Sequence, residues 1–168
     1  KGQELIPISV NLSRTSIHHS DIVERYMKIV EENGIPFSCV PVELTETATL
    51  NNVMIRDFTE KLVNAGFALH MDDFGSGYAN LNAVLRLPFD VVKMDRSLLT
   101  GITCDEQAAV FYHSIVTVMQ NMGYTIVAEG AETEEEVSLL REWGVDMVQG
   151  YYFSRPLPET ELLRLFML

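Results

Sequence analysis

The sequence predicts an α/β fold, a parallel (β/α) barrel that is incomplete and holds about six of the usual eight βα units. Apolar strand-like segments alternate with amphipathic helical segments along the chain, which is the pattern of repeated βα units. A complete barrel of this kind needs ~250 residues, whereas this chain has 168 residues. A glycine that can form a left-handed helix cap precedes a strand at Gly34, Gly66, Gly123 and Gly144. We therefore expect a single domain over residues 1–168.

The first half of the chain predicts three strands and two helices. Strands are expected where short apolar segments occur, at residues 6–12, 37–44 and 67–71. A helix is expected over residues 21–33, because Ile22, Tyr26 and Ile29 recur on one face. The same spacing of apolar side chains predicts a second helix over residues 52–65.

The second half continues the alternation. A glycine-rich turn and a short helix over residues 78–85 precede a fourth strand, residues 89–94. Thr103-x-x-Glu106 and Thr133-x-x-Glu136 have the capping-box pattern, and they predict helices that run to Met122 and Trp143. Strands are expected over residues 124–128 and 145–148, and a last helix over residues 161–166.

Charge and composition exclude several classes of protein. Twelve Lys and Arg against 24 Asp and Glu give a net charge of −12, which is opposite in sign to a DNA- or RNA-binding surface. The sequence contains no uncharged apolar run of the ~18 residues that span a bilayer, so we expect no membrane segment. Cys39 and Cys104 are too few for a disulfide framework, and we expect two free thiols in a cytoplasmic protein.

Polar residues stand at the end of each predicted strand: Asn11, Glu43, Asp72 with Asp73, Lys93, Glu129 and Gln149. In a parallel barrel all carboxyl ends of the strands lie on the face that holds the active site, so these side chains would converge. For any single residue the alternative is an ordinary polar loop. Clustered carboxylates repel one another unless a cation lies among them. All-oxygen ligation suits Mg²⁺ or Mn²⁺, which can activate water and neutralise a phosphate.

Two neighbouring features allow a structural and a functional interpretation. The segment from Asp73 to Tyr78 contains Gly-x-Gly and is either a tight turn or an adjustable loop that covers a ligand. His70 lies two residues before Asp72 and so faces the same side of its strand, where we expect a packed core histidine.

The motifs around these residues resemble the EAL domain family, and they occur in the family's order along the chain. They are Asn11-Leu12-Ser13, Glu43-Leu44-Thr45-Glu46, the segment Asp72 to Tyr78, Lys93-Met94-Asp95-Arg96, Val127-Ala128-Glu129-Gly130 and the segment Gln149 to Leu157. The resemblance implies a modified TIM-type barrel. It also implies hydrolysis of cyclic di-GMP, in bacterial second-messenger signalling.

The resemblance further implies a role for each matching residue. Asn11, Glu43, Asp72, Asp73 and Glu129 correspond to ligands of a two-metal Mg²⁺ or Mn²⁺ site. Lys93 corresponds to the residue that orients the attacking water, and Glu129 also assists removal of its proton. Glu46 corresponds to the residue that shapes the loop Phe74, Gly75, Ser76, Gly77 and Tyr78, and Gln149 lines the same site. In the implied reaction water attacks one phosphodiester in line, the sugar 3′-oxygen leaves, and linear pGpG forms.

One departure from the family's pattern affects these expectations. The Glu-Ala-Leu motif that names the family, with a metal-binding glutamate and a nearby phosphate-contacting arginine, does not precede Asn11 in this sequence. We therefore expect the C-terminal three-quarters of the domain, nearly inactive by itself. Its open edges favour a homo-oligomer. The alternatives are a binding or interaction module that senses cyclic di-GMP without cleaving it, and a different metal-dependent barrel enzyme of the enolase type.

Overall fold

A computed structural model of the protein describes residues 5–17, 19, 21–49, 53–77 and 81–166. Within this part of the chain, six parallel strands form one sheet whose spatial order is the order of the sequence. They are β1 (Val10–Asn11), β2 (Val42–Thr45), β3 (Leu69–Phe74), β4 (Val91–Met94), β5 (Thr125–Glu129) and β6 (Met147–Gln149). Sequential parallel pairing with helices between the strands is the topology of a (β/α) barrel, and the six-stranded open sheet confirms the incomplete TIM-type fold.

Helices connect the strands along the sequence. They are α1 (Arg14–Ile17), α2 (Ile22–Glu32), α3 (Val53–Ala65), α4 (Leu81–Arg86), α5 (Arg96–Leu99), α6 (Glu106–Asn121), α7 (Glu134–Glu142) and α8 (Glu159–Phe166). Short 3-10 helices occur at Phe37–Cys39 and Glu46–Thr49. The four glycines expected at turns between a helix and a strand all have positive φ, between 64° and 99°.

The core lies between the sheet and the helices that cover it. The strands supply its most deeply buried side chains, including Val42, Leu44, Leu69, Met71 and Val92, all 0 % exposed. Every residue of β4 is buried, as expected for a parallel strand with both faces covered. Burial of each such aliphatic side chain stabilises the fold by roughly 1.5–3 kcal/mol.

Several predicted boundaries are wrong, for local reasons. Residues 37–39 form a 3-10 helix, and β2 begins only after Pro41, which has no backbone N–H to donate. Thr103 does not cap α6. The Asp105 carboxylate does so, accepting a hydrogen bond of 2.9 Å from the Gln107 N–H. By contrast, the capping box of Thr133 and Glu136 at α7 is confirmed.

Other differences concern length and number of elements. β3 continues to Phe74, three residues beyond the predicted strand, and α8 begins at Glu159 rather than residue 161. The sequence pattern does not predict the short helix α5. Two predicted starts lie outside the described residues: residue 52, where the second predicted helix begins, and Tyr78, where the short helix after the glycine-rich turn begins.

The sheet ends at β1 on one side and β6 on the other, and within the described chain each of these strands pairs with a single neighbour. Apolar side chains at or near both edges are exposed: Ile6 is 51 %, Ile8 67 % and Met147 48 % exposed. Such edges leave strand N–H and C=O groups available for pairing.

Among the described helices, none combines the length and the apolar composition needed to cross a membrane.

Candidate active site at the carboxyl ends of the strands

Lys93, near the end of β4, brings together carboxylates from three other strands. Its Nζ lies 3.0 Å from Glu43 Oε1 on β2, 2.8 Å from Asp72 Oδ1 on β3 and 2.8 Å from Glu129 Oε1 on β5. These four side chains are 6 to 17 % exposed. The predicted convergence of polar strand ends is therefore observed for these four residues.

Burial and the ion pairs shift the pKa values of Lys93 and Glu129. Burial disfavours the charged ammonium of Lys93, but the hydrogen bonds to Asp72, Glu129 and Glu43 outweigh it and raise the pKa of Lys93 above its usual value. Burial also raises the pKa of Glu129, although the hydrogen bond from Lys93 opposes this shift. Lys93 is thus a fixed cation at neutral pH, surrounded by three carboxylates.

A distortion of β3 lets two successive acidic residues face the same site. Neighbouring residues of a regular strand point to opposite faces. Between Met71 and Phe74, however, the register of β3 against β4 shifts, and Asp73 has a φ of 56°, in the left-handed region. A bulge with such a residue can redirect a side chain, and it costs backbone strain that is common at functional sites.

Asp72, Asp73 and Glu129 have the chemistry of a divalent-cation site. One carboxylate oxygen from each lies within 4.8 Å of the other two. Burial, followed by the negative charge of Asp72, raises the pKa of Asp73. A cation among the three would relieve that repulsion, and all-oxygen donors suit Mg²⁺ or Mn²⁺. The residues present therefore fit the expected metal.

Glu43 and Asn11 occupy different positions relative to this group. Glu43 is 5 % exposed and reaches the cluster through Lys93, outside the three carboxylates just described. Asn11 pairs with Glu43 in the parallel register of β1 and β2, and its side chain is exposed. The structure thus places Asn11 beside Glu43 at the open edge of the site.

The loop after β3 is attached to β2 through Glu46. The Glu46 side chain is 3 % exposed, and its Oε2 accepts a hydrogen bond of 3.0 Å from the Gly75 N–H. Phe74 is buried in the core, and the Ser76 N–H donates to the Asp73 carbonyl at 3.1 Å. Residues 74–77 thus form a turn next to the carboxylates, with Gly77 at its end.

Gln149 and His70 complete the set of predicted residues. Gln149 pairs in register with Glu129, and its side chain is exposed at the end of β6. His70 is half-buried and does not belong to the fully buried core, which corrects the expectation of a packed core histidine. Burial nevertheless lowers its pKa, so the neutral imidazole is favoured.

Sequence reasoning missed α5, although the helix lies next to the site. The Asp95 carboxylate caps it by accepting a 2.9 Å hydrogen bond from the Ser97 N–H. The sequence carries one signal for this helix, since aspartate is a preferred N-cap residue and Asp95 directly follows β4. Arg96, the first residue of the helix, forms a 2.8 Å ion pair with Glu132, which follows β5.

Comparisons with known proteins identify the family to which the chain belongs. The family model for the EAL domain matches residues 1–156. Cyclic di-GMP phosphodiesterase NbdA of Pseudomonas aeruginosa is 34 % identical over 162 residues, which are 96 % of this chain and 21 % of NbdA. The chain spans about a fifth of the length of the first curated relatives that it matches, between 21 and 22 %.

Solved structures give the same result. The EAL domain of Mycobacterium smegmatis DcpA superposes with a TM-score of 0.90 and 29 % identity, covering 96 % of this chain and 73 % of that domain. Klebsiella pneumoniae BlrP1, solved with manganese and cyclic di-GMP, superposes with a TM-score of 0.83 and 34 % identity, covering 89 % of this chain and 39 % of BlrP1. The chain belongs to the EAL domain family.

Proposed function

We propose that this chain carries the catalytic face of a divalent-cation-dependent phosphodiesterase that opens cyclic di-GMP to linear pGpG. The observation that carries the proposal is the approach of Asp72, Asp73 and Glu129 oxygens to within 4.8 Å of one another, next to the Lys93 ammonium. The family relationship supports the substrate, since the relative NbdA is a cyclic di-GMP phosphodiesterase.

The charge of each side chain indicates its proposed role. Asp72, Asp73 and Glu129 would hold the cations together with Glu43 and Asn11, which are adjacent in register on β2 and β1. Lys93 stays protonated, and the positive charge of its ammonium would attract the attacking water or a phosphate oxygen. Glu129, which ends β5, is the carboxylate that would accept a proton from that water.

The bound cations would supply positive charge against the phosphate and make water a better nucleophile. This charge is necessary because the protein has a net charge of −12 and would otherwise repel a dianionic dinucleotide. In the proposed reaction the new bond joins phosphorus to the water oxygen, the bond from phosphorus to the sugar 3′-oxygen breaks, and that oxygen takes up a proton from solvent to become a hydroxyl. The turn at residues 74–77, attached through Glu46, would border the substrate together with Gln149.

The test is hydrolysis of cyclic di-GMP by the full natural protein, followed by chromatography of the nucleotides. We expect pGpG with Mg²⁺ or Mn²⁺ and none with a chelator. Glu129→Gln should reduce turnover at least about 100-fold, whereas Glu142→Gln, on the exposed surface of α7, should not. Cyclic di-GMP binding without pGpG would contradict the proposal and favour the sensor.

We also propose that the 168 residues are the C-terminal three-quarters of the domain, with two further βα units packing between β1 and β6. The exposed apolar side chains at both sheet edges support this arrangement. By itself the chain would then be nearly inactive and would self-associate.

A cytoplasmic location is proposed as well, supported by the free thiols of Cys39 and Cys104.

A further inference from the structure

We propose that Arg96 is a positioning residue that fixes Glu129 through the backbone of Gly130, and that α5 thereby braces both acidic segments of the site. The inference rests on the proposed function, because it assigns Arg96 a role in the geometry of that site. The ion pair of Arg96 is with Glu132, outside the carboxylate cluster. Its contacts are with the segment that follows Glu129.

On one side, α5 is locked against the loop after β3. The Asp95 N–H donates a 3.0 Å hydrogen bond to the Phe74 carbonyl. Leu98 fills the space over Gly75 so closely that a Cβ at that glycine would lie 2.5 Å from Leu98 Cδ1. The loop that follows Asp72 and Asp73 therefore rests directly on α5.

On the other side, the aliphatic part of Arg96 lies over Gly130, the residue after Glu129. A Cβ at Gly130 would lie 2.6 Å from both Cβ and Cγ of Arg96 and 2.9 Å from its Cδ. Gly130 also has a φ of 79°, which disfavours any residue with a side chain. The absence of a side chain at Gly130 thus allows the Arg96 stem to pack against the backbone.

The guanidinium end holds the same segment two residues later. Arg96 Nη1 lies 2.8 Å from Glu132 Oε1, with the two side chains 61 % and 40 % exposed. An exposed pair of this kind adds little stability by itself. Its effect here is geometric, because stem and guanidinium together span the backbone from Gly130 to Glu132.

Backbone hydrogen bonds hold this segment from the opposite direction. The Gly130 and Ala131 N–H groups donate to the Gln149 carbonyl at 2.7 and 3.3 Å. Gly150 approaches so closely that a Cβ there would lie 2.0 Å from the Ala131 carbonyl oxygen. The residues after Glu129 are therefore enclosed between Arg96 and β6. Since a misplacement of about 1 Å can cost about 100-fold in rate, this enclosure matters for Glu129.

The experiment compares wild type with Arg96→Ala, Arg96→Met and Arg96→Lys in the full natural protein. For Arg96→Ala we expect kcat for cyclic di-GMP to fall about 10- to 100-fold, with KM changed less than about threefold. Mn²⁺ affinity should fall as well. Arg96→Met and Arg96→Lys keep most of the aliphatic stem, so their kcat and Mn²⁺ affinity should fall less than those of Arg96→Ala. Arg56→Ala, which removes an exposed arginine paired with Glu60 on α3, should match wild type.

Hydrogen exchange of the peptide that contains Gly130 and Ala131 gives a readout independent of activity. Faster exchange in Arg96→Ala than in Arg56→Ala is expected, and it can be measured even if the wild type does not hydrolyse cyclic di-GMP. This measurement therefore distinguishes a failure of the proposed function from a failure of the positioning role of Arg96. If Arg96→Ala fails to fold, Arg96→Met serves in its place. Folded Arg96→Ala with unchanged kcat and unchanged exchange would overturn the inference, as would an effect on KM alone; where Arg96→Met replaces it, an unchanged exchange rate relative to Arg56→Ala would do the same.

Discussion

Lys93 is the residue on which the charge balance of the site depends. Its ammonium is the common partner of Glu43, Asp72 and Glu129, at 2.8 to 3.0 Å. Buried charges of one sign are tolerated in a folded protein only when they are paired. Lys93 thus gathers the carboxylates as well as serving the proposed reaction.

We predict that Lys93→Met lowers the free energy of unfolding by about 3 kcal/mol at pH 7, because three nearly buried carboxylates lose their counter-charge. Without Lys93, the hydrogen bond that lowers the pKa of Glu129 is lost, and burial raises that pKa further in the folded state. The stability deficit should therefore shrink as the pH falls and Glu129 binds a proton. Urea unfolding at pH 7 and pH 5 measures this. Lys28→Met, at the exposed 3.7 Å pair with Glu32, should leave the midpoint unchanged, and equal losses for both variants would contradict the prediction.

Tyr112 on α6 gives a second prediction. Its side chain is fully buried, its hydroxyl has no hydrogen-bond partner among the described residues, and burial raises its pKa. Tyr112→Phe should therefore leave stability unchanged or raise it by up to about 1 kcal/mol at pH 7. The unfolded tyrosine ionises near pH 10, before the folded one, so the wild type loses stability above that pH and the variant loses less. Chemical denaturation of both proteins at pH 7 and pH 10.5 tests this prediction. A clear loss of stability in Tyr112→Phe at pH 7 would contradict it.

At the scale of elements, the sequence pattern predicts which segments are strands better than where they bend. Alternation and apolar composition are enough to place all six strands, because burial on both faces requires such segments. The pattern places Asp72 and Asp73 at a strand end but does not show that both face the site. That depends on the bulge and on the positive φ of Asp73. The sequence predicts helix caps only in part. Thr103 and Asp105 are both suitable cap residues near the start of α6, and in the structure Asp105 is the cap.

The two capping patterns give a matched pair of variants. Thr133→Ala should lower the free energy of unfolding by about 1 kcal/mol, because the Thr133 hydroxyl accepts a hydrogen bond from the Glu136 N–H at the start of α7. Thr103→Ala should change stability by less than about 0.5 kcal/mol, because Asp105 caps α6. Thermal unfolding of both variants measures the difference. A larger loss for Thr103→Ala would show that the cap of α6 is assigned wrongly.

At the scale of the whole molecule, the strands of the described chain bring distant residues to one face, and β1 and β6 form the two edges of the sheet. The convergence of Glu43, Asp72, Lys93 and Glu129 followed from the parallel order of the strands alone. The position of Arg96 does not follow from the order of the strands. It depends on the close approach of α5 to Gly130, which no periodic pattern in the sequence indicates. Tertiary contacts of this kind become visible only in the structure.

We predict that the 168-residue chain by itself self-associates through its edges. Ile8, 67 % exposed next to β1, should take part, and Ile8→Lys should weaken the association, since an edge lysine opposes strand pairing. Leu85→Lys, at a 64 % exposed position on α4, serves as the control. Sedimentation velocity at about 10 and 100 µM checks this, and a monomer at both concentrations would argue against open pairing edges.

The claim that acidic strand ends form one cation site is tested most directly by titrating Mn²⁺ into the full natural protein and following free Mn²⁺ by electron paramagnetic resonance. We predict saturable binding by the wild type and a loss of affinity of at least about tenfold in Asp72→Asn and in Glu129→Gln. Asp21→Asn, at an exposed position before α2, should bind like the wild type. Equal Mn²⁺ affinity in all four proteins would contradict the account.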